Sequence, residues 1–426
     1  MLRIVARWEV ALVAVSLLLA LYQSGRRTAL RTACCLLAAG LVALFGLRLL
    51  QQVQRNLRDP PEWDYLAFSI PARAAVQGKD FYQPSVMHEM AQGMSCGRNF
   101  SRTSLDVGFL YPPTSMLVLA PLGWVSARTG EAAWYVVNMI ALAAAVVLLA
   151  RTFFAEDPLL GLATVALMTI GLRSTSSTVG FAQSNFLALL LLVLFWRSRA
   201  RPLSGLFLAL GAVVKPVLIL LLGYTLLRRQ WRAAAVALGT TAFLGLLAVL
   251  AFGTRTCASF LYDNPAPRLP RAVYTESVNQ SLPAVLLRLM SYDGSQGAAL
   301  RQPLVLVGCG VFALVSLLLA IWLMRRNEEL ALAFGLSAGL LLYPGTLEHY
   351  SVLLLVPLGA LWRSRAGFGW GVIWAAIALA MLLIGFRGGI AAWSAFLIVW
   401  LVATLPGWAP WVRGQRTRGL WEPGHA

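Results

Sequence analysis

The sequence predicts an all-α polytopic membrane protein, and two observations support this prediction. Of the 426 residues, 59% are hydrophobic and 12% are charged, about half the charged fraction of a soluble domain. The apolar residues form long runs, several of them near the length of about 20 residues that a helix needs to cross a bilayer. These features exclude an ordinary soluble chain of two or three domains.

The basic residues are placed as in the cytoplasmic turns of a membrane protein. The formal charge is +18, from 35 Lys and Arg against 17 Asp and Glu, and the cations other than Lys79 and Lys215 are arginines. Short Arg-rich turns between apolar spans follow the positive-inside rule, so we exclude nucleic acid as a partner. The clusters are Arg26, Arg27 and Arg31; Arg197, Arg199 and Arg201; Arg228, Arg229 and Arg232; Arg325 and Arg326; Arg363 and Arg365; and Arg413, Arg416 and Arg418.

The apolar runs predict a single integral membrane domain over residues 1–426. In the run 203–227, Lys215-Pro216 interrupts the pattern. Because proline removes a helix hydrogen bond and lysine is costly in lipid, we predict two short helices that meet at a polar tip away from the cytoplasm. This gives about 12–13 membrane helices. The runs are about 8–22, 33–50, 132–150, 158–173, 181–196, 203–227, 232–253, 303–324, 330–346, 347–362, 371–387 and 391–408.

Two longer blocks, residues 51–130 and 254–302, separate these runs. Both lie on the extracytoplasmic side when the Arg-rich turns are placed in the cytoplasm. The apolar stretch 114–125 contains Pro121 and is only about a dozen residues long, so we expect an interfacial helix there rather than a span. The orientation of residues 1–31 stays open, and no convincing internal repeat is present.

The five cysteines do not form a disulfide framework or a metal-binding motif. Only Cys96 and Cys257 lie in long polar segments. Whether they pair with each other stays open at this point.

A few polar residues occupy positions that suggest chemistry. Asp64 follows a membrane run on the outer side, where a carboxylate against aromatic and apolar surface can act as a general base; a solvated loop acid or a helix cap is the alternative. Lys215 either lines a wet cavity that binds an anion or forms a structural ion pair. His349, between two apolar runs, can contact a phosphate, orient an acceptor or move a proton, or simply bond a backbone carbonyl. Arg268 and Arg271 can bind an anionic group at the membrane surface or remain solvated.

A series of spaced motifs over residues 60–360 resembles glycosyltransferase family 87. Each motif is weak by itself, and their order along the chain is specific. The resemblance implies the GT-C fold, with about 12–13 transmembrane helices, extracytoplasmic interfacial helices and the catalytic acid in the first outer loop, which is the block 51–130 here. The motifs are Asp64-Tyr65, residues 74–82, 109–113 and 120–122, Trp134 with Asn138, residues 180–185, Gly205 through Lys215-Pro216, and residues 228–232, 279–282 and 349–351.

The family resemblance implies an inverting transfer of a sugar from a polyprenyl-phosphate donor. The donor sugar would be mannose, another hexose or arabinofuranose, and the acceptor a hydroxyl of a lipid-linked or cell-envelope glycan. Asp64 matches the catalytic Asp of the family and would act as general base, at the extracytoplasmic side of a bacterial plasma membrane. Because the leaving group is already a phosphate, one carboxylate suffices, and we expect neither a metal nor another cofactor. The residues expected to bind the donor phosphate or sugar are Lys215, His349, Arg268, Arg271, Tyr111, Gln183, Asn185 and Asn279.

Residues 87–106 form an insertion that does not match the family, and they are a candidate part of the acceptor site. The alternative function is a transporter or flippase for a lipid-linked sugar, with Lys215 and His349 on a translocation path. The missing repeat symmetry and the two sizeable outer blocks argue against that alternative.

Overall fold

The chain is mostly helical over the residues that the computed structural model describes, which are 14–15, 28–59, 61, 63–92, 94, 105–106, 108–155, 158–262, 278–292 and 299–364. Within these residues no strand is present, and one isolated antiparallel bridge joins Asn279 to Leu347. The predicted all-α polytopic fold is confirmed. The predicted runs 371–387 and 391–408 lie outside the described residues, as does nearly all of the run 8–22.

A long helix leads into the first outer block. Helix α1, Thr28–Arg58, continues beyond residue 51, so the predicted first outer block, residues 51–130, begins within this helix. The physical reason is that a helix does not have to end where its apolar run leaves the lipid, because its backbone hydrogen bonds continue in a polar segment. Two shorter helices follow, α2 (Trp63–Val76) and α3 (Pro84–Ala91).

The stretch 114–125 forms two short helices and no span, as predicted. Helix α4, Pro113–Leu119, is continued by a 3-10 helix at Ala120–Trp124. Pro113 occupies the first turn of α4, where its missing N–H has no helical partner to lose. Because the two pieces have seven and five residues, they rise about 20 Å together, less than the hydrocarbon core requires.

The rest of the described chain is a helical bundle. The first group of helices is α5 (Ala127–Phe153), α6 (Pro158–Gly171), α7 (Arg173–Gly180), α8 (Asn185–Arg197), α9 (Leu203–Val214), a 3-10 helix at Pro216–Leu220, α10 (Leu221–Leu227) and α11 (Trp231–Tyr262). The second group is α12 (Leu282–Leu289), α13 (Pro303–Met324), α14 (Glu328–Leu342), a 3-10 helix at Glu348–Leu354, and α15 (Leu355–Ser364).

By length and composition, four described helices can cross a membrane: the part Cys35–Arg58 of α1, together with α5, α11 and α13. The pair α6 and α7, bent by 57°, makes a fifth if it forms one span. Helices α8 and α9 and the stretch Pro216–Leu227 are apolar but shorter. The count of about 12–13 membrane helices therefore stays a prediction, because it depends on these shorter helices and on runs outside the described residues.

The predicted break at Lys215-Pro216 is confirmed. Helix α9 ends at Val214, and Lys215 adopts an extended backbone, with φ −142° and ψ 104°. The pyrrolidine ring of Pro216 disfavours a helical conformation at the preceding residue, which explains this geometry. Lys215 is therefore presented at a non-helical corner between two short apolar helices.

Helix α11 has its own interruption at Gly253, where φ is +82° and ψ is 155°. This conformation is accessible essentially to glycine alone. The last part of α11 is thereby redirected toward the first outer block, where Ser259 donates a hydrogen bond to Asp80 Oδ2 over 2.7 Å. The other carboxylate oxygen of Asp80 accepts the backbone N–H of Tyr82, so Asp80 also closes a local turn.

An ionic cluster joins several helix ends at one pole of the bundle. Arg199 contacts both Glu328 and Glu329, at 3.2 and 2.9 Å. Arg228 pairs with Glu328 at 2.6 Å, and Arg363 with Glu329 at 3.6 Å. These arginines belong to the turns that the sequence predicted to be cytoplasmic, so the opposite pole is the predicted outer side.

Candidate functional site

The candidate site forms where non-helical corners of the bundle meet the start of α2, at the pole away from the ionic cluster. Its central residues are Asp64, Tyr111, Gln183, Lys215 and His349. Helix α9 has 12 residues and therefore rises about 18 Å, against a hydrocarbon core of about 30 Å. If the ionic cluster lies at one membrane surface, Lys215 is recessed below the other surface.

Lys215 is fully buried, and its ammonium group has polar and aromatic neighbours. It donates hydrogen bonds to Gln183 Oε1 at 2.9 Å and to the Tyr111 hydroxyl at 3.2 Å. The ammonium also lies 4.5 Å from the centroid of the Tyr350 ring. These contacts hold a positive charge where an uncompensated one would be costly.

Gln183 lies in the turn between α7 and α8. Two backbone bonds close the end of α7, from Ala182 N to Val179 O and from Gln183 N to Thr178 O, in the pattern of a Schellman motif. Ala182 takes the left-handed position of this motif, with φ +49°, and its carbonyl accepts a hydrogen bond from Trp134 Nε1 at 2.8 Å. The turn therefore directs the Gln183 side chain toward Lys215.

Asp64 is the second residue of α2 and is partly buried. A carboxylate in the first turn of a helix is stabilised by the helix dipole. Its Oδ2 accepts a hydrogen bond of 2.7 Å from Gln183 Nε2. The structure therefore places Asp64 in the first turn of a helix and in contact with the buried polar group.

Tyr111 precedes α4 and connects the polar site to aromatic surroundings. Its ring lies 5.7 Å from that of Phe68, which in turn lies 5.9 Å from Trp134. Burial of the hydroxyl, with Tyr343 and Asp64 as nearby acidic groups, raises the pKa of Tyr111 above its ordinary value. The phenol therefore stays protonated and neutral over the physiological pH range.

A small cleft adjoins the polar residues. It reaches the site through Tyr111 and through residues adjacent to Gln183 and Lys215 in the chain. Its wall is mostly apolar, so it suits a hydrocarbon segment better than a free sugar. The cleft is lined by Phe68, Tyr111, Ser115, Val118, Leu119, Trp134, Ser184, Val213 and Val214.

His349 is buried in the 3-10 helix Glu348–Leu354 and lies within electrostatic reach of Lys215. Its ring stacks on Tyr350, with the centroids 5.3 Å apart, and lies 6.2 Å from Phe181. The preceding Glu348 accepts a hydrogen bond from Ser177 at 2.9 Å, which anchors this segment to α7. The imidazole therefore lies between aromatic rings in the same buried region as the lysine.

The remaining residues that the sequence predicted for donor binding lie outside this central cluster or outside the described residues. Asn185 is fully buried at the start of α8, where its Nδ2 donates to Thr178 and its Oδ1 has no partner among the described residues. Asn279 donates to the Pro344 carbonyl at 2.8 Å and accepts bonds from Ser281. It thereby fixes the second outer block against the segment that leads to His349. Arg268 and Arg271 lie outside the described residues, as does Cys96 of the possible cysteine pair.

Sequence reasoning did not single out Tyr350 or Tyr343 as site residues. Their rings are 6.1 Å apart, and that of Tyr350 faces the Lys215 ammonium. Their positions in the sequence, on either side of His349, could have indicated them. Tyrosine has an apolar ring and a polar hydroxyl, which suits it to a partly buried polar site.

The fold and this site define a multi-pass membrane protein with a buried cation, a nearby carboxylate and an adjoining apolar cleft. A buried cation can meet an anionic group, a carboxylate close to it can accept a proton, and the adjoining cleft is apolar. A transferase can use all three features, with the carboxylate as a general base. A transporter of an amphiphilic anion can use them as well, because carboxylates also act in proton relays.

The chain belongs to glycosyltransferase family 87, whose sequence profile matches residues 109–347, more than half of its length. Tyr111, Gln183 and Lys215 lie within the matched region, whereas Asp64 and His349 lie outside it. The protein is therefore a multi-pass membrane glycosyltransferase, and the transporter alternative is set aside.

Mycobacterial glycosyltransferases are among its relatives. The chain is 27% identical over 330 residues to the polyprenol-phosphate-mannose-dependent alpha-(1-2)-phosphatidylinositol mannoside mannosyltransferase of Mycobacterium tuberculosis (strain H37Rv), with 72% of each chain covered. It is 30% identical over 164 residues to an alpha-(1->3)-arabinofuranosyltransferase of Mycobacterium tuberculosis (strain CDC 1551), covering 36% of this chain and 38% of the relative. The protein of the same name from Mycolicibacterium smegmatis is 32% identical over 142 residues, covering 32% and 33%. No solved structure matches the chain significantly.

Proposed function

We propose that this protein transfers a sugar, with inversion, from a polyprenyl-phosphate donor to a hydroxyl of a lipid-linked or cell-envelope glycan. The observation that carries the proposal is the cluster in which Gln183 contacts both the Asp64 carboxylate and the Lys215 ammonium, beside an apolar cleft. Mannose is the first choice of sugar because a relative that matches 72% of this chain is named as polyprenol-phosphate-mannose-dependent. Another hexose and arabinofuranose are the other choices.

In the proposed reaction, Asp64 removes the proton of the acceptor hydroxyl as its oxygen attacks the anomeric carbon. The bond between that carbon and the phosphate oxygen breaks, and the electron pair leaves with polyprenyl phosphate from the opposite face of the sugar. A phosphate is a stable anion, so the leaving group needs no proton. Lys215 would stabilise the negative charge that develops on the phosphate, with His349 beside it.

The remaining predicted residues have supporting roles in this proposal. Asn185, with a buried acceptor oxygen that no described group satisfies, can receive a sugar hydroxyl. Tyr111, as a neutral phenol, can bond a donor oxygen. Arg268, Arg271 and Asn279 stay proposed donor-binding residues of the second outer block.

The proposed location is a bacterial plasma membrane, with the site open to the extracytoplasmic side. A pair of single cysteines tests this orientation, each in a chain whose native cysteines are replaced. Asp59→Cys, exposed near the start of α2, should react in intact cells with a membrane-impermeant thiol reagent, whereas Arg201→Cys, exposed near the ionic cluster, should react only after permeabilisation. The reverse pattern would remove the extracytoplasmic assignment.

The activity itself is tested in detergent, where no transport is possible. Purified protein is incubated with a panel of decaprenyl- and undecaprenyl-phosphate sugars and a membrane lipid extract, and the products are identified by mass spectrometry. We expect release of polyprenyl phosphate together with a glycolipid heavier by one sugar. Failure of every donor in the panel would refute the proposal.

A further inference from the structure

The amide of Gln183 contacts an anion on one side and a cation on the other. Its Nε2 donates to Asp64 Oδ2 at 2.7 Å, and its Oε1 accepts from Lys215 Nζ at 2.9 Å. The reversed amide would set N–H groups against an ammonium and an oxygen against a carboxylate, so the two charges select one orientation. Both contacts involve charged groups, which form the stronger class of hydrogen bonds.

The backbone around Gln183 is also fixed by specific contacts. Ala182 has a positive φ of 49°, a conformation that is unfavourable for a residue with a Cβ and that persists only when its surroundings enforce it. The enforcing contacts are the hydrogen bond from Trp134 to the Ala182 carbonyl and the two backbone bonds that close α7. Gln183 itself is only 8% exposed.

From these contacts we infer that Gln183 is a positioning residue, which orients the Asp64 carboxylate and keeps it in register with Lys215, rather than a ligand of the donor. The inference rests on the proposed function, in which Asp64 is the base and Lys215 meets the donor phosphate. A hydrogen bond to Oδ2 fixes the plane of the carboxylate. The same amide also bonds Lys215, so Asp64 as proton acceptor and Lys215 at the phosphate site are kept at a fixed distance from each other. An in-line transfer requires such a fixed geometry.

Three variants test this inference with wild-type protein and the active donor. Gln183→Met keeps the side-chain length and removes both hydrogen bonds. Gln183→Glu keeps an oxygen that accepts the hydrogen bond from Lys215. Its contact with Asp64 then requires that one of the two carboxyl groups is protonated. Gln52→Met is the matched control, because the Gln52 amide also makes two hydrogen bonds, both with Ser176, at a distance from the site.

For Gln183→Met we expect kcat to fall about 100-fold, since the base is no longer aligned, while the dissociation constant of the donor changes by less than about threefold. Gln52→Met should keep wild-type kcat. Loss of donor affinity with kcat retained would identify Gln183 as a donor ligand and overturn the inference. An unchanged kcat would overturn it as well.

The pH profile of Gln183→Glu separates positioning from a merely structural role. When the new carboxyl group of Gln183→Glu is protonated, its O–H donates a hydrogen bond to Asp64. Its carbonyl oxygen accepts one from Lys215, so the protonated variant reproduces both contacts of the native amide. Loss of that proton as the pH rises leaves two adjacent carboxylates that repel each other. The variant should therefore lose activity at a pH where the wild type retains it. The titratable groups around the bridge are Asp64, Tyr111, Lys215, Tyr343, His349 and Tyr350.

A profile of Gln183→Glu that parallels the wild-type profile would overturn the positioning role while the proposed transfer stands. Wild-type protein that transfers no sugar from the whole panel would refute the proposed function, and the positioning role with it. The two failures are distinguished by the activity of the wild type.

Discussion

The ammonium group of Lys215 lies over the ring of Tyr350, 4.5 Å from its centroid. Tyr350 is adjacent to His349 in a 3-10 helix, so this contact links the corner after α9 to the predicted histidine. A desolvated cation over an aromatic ring is stabilised by about 2 kcal/mol. The site can therefore keep a buried cation ready for an anionic substrate without holding it rigidly in a salt bridge.

Replacement of Lys215 by methionine should weaken donor binding. Hydrogen bonds to charged groups contribute about 1.5–3 kcal/mol, so the affinity for decaprenyl phosphate should fall about 10- to 100-fold in a fluorescence binding assay. Lys79→Met is the control, because Lys79 pairs with Glu89 in the outer block, away from the site. If Lys215→Met binds decaprenyl phosphate like the wild type, the lysine is structural.

Asp64→Asn should abolish transfer while leaving donor binding nearly unchanged. A general base contributes about 10²- to 10⁴-fold to the rate, and asparagine has almost the same shape but does not accept the proton. Single-turnover rates and donor affinity measured side by side make the comparison. Asp59→Asn, which alters an exposed carboxylate that precedes α2, should retain the wild-type rate. Wild-type turnover by Asp64→Asn would remove Asp64 from the mechanism.

Chelation of divalent cations should leave the rate unchanged. In the proposed reaction Lys215 supplies the positive charge at the phosphate, and a single carboxylate accepts the proton. The measurement is the transfer rate of protein dialysed against EDTA, with and without added Mg²⁺ or Mn²⁺. Activity that disappears with EDTA and returns with either metal would show that the reaction needs a metal.

Gly253→Ala should lower the midpoint of thermal unfolding in detergent. Its φ of +82° lies in a region where a Cβ strains the backbone, at a cost of about 1–3 kcal/mol. The space around a Cβ there is open, so the loss would come from conformation and not from a clash. The matched control is Gly245→Ala in the same helix, also in open space, which should gain about 0.5–1 kcal/mol of helix stability. Equal shifts for the two variants would contradict this account of the bend.

Several local features were predictable from the chain alone. The break at Lys215-Pro216 follows from the conformational limits of proline and its predecessor, and the short helices at 113–124 follow from run length and Pro121. Asp64 and Lys215 were recognisable as candidates because ionisable residues near or within apolar runs are rare. The end of α1 at Arg58 was not predictable from the apolar run 33–50, because helix ends depend on polar backbone contacts as well as hydropathy.

The sequence by itself determined that this is a helical membrane protein of glycosyltransferase family 87. The lengths of the apolar runs, the Arg-rich turns and the order of the motifs are properties of the chain that can be read without the tertiary structure. Only the tertiary structure decided that Gln183 stands between Asp64 and Lys215, that Tyr350 faces the lysine, and that Asn279 braces the neighbouring segment. Gln183 and Asp64 are 119 residues apart in the chain. Contacts over such separations depend on how the helices pack and on the strained turn at Ala182, which no local pattern specifies.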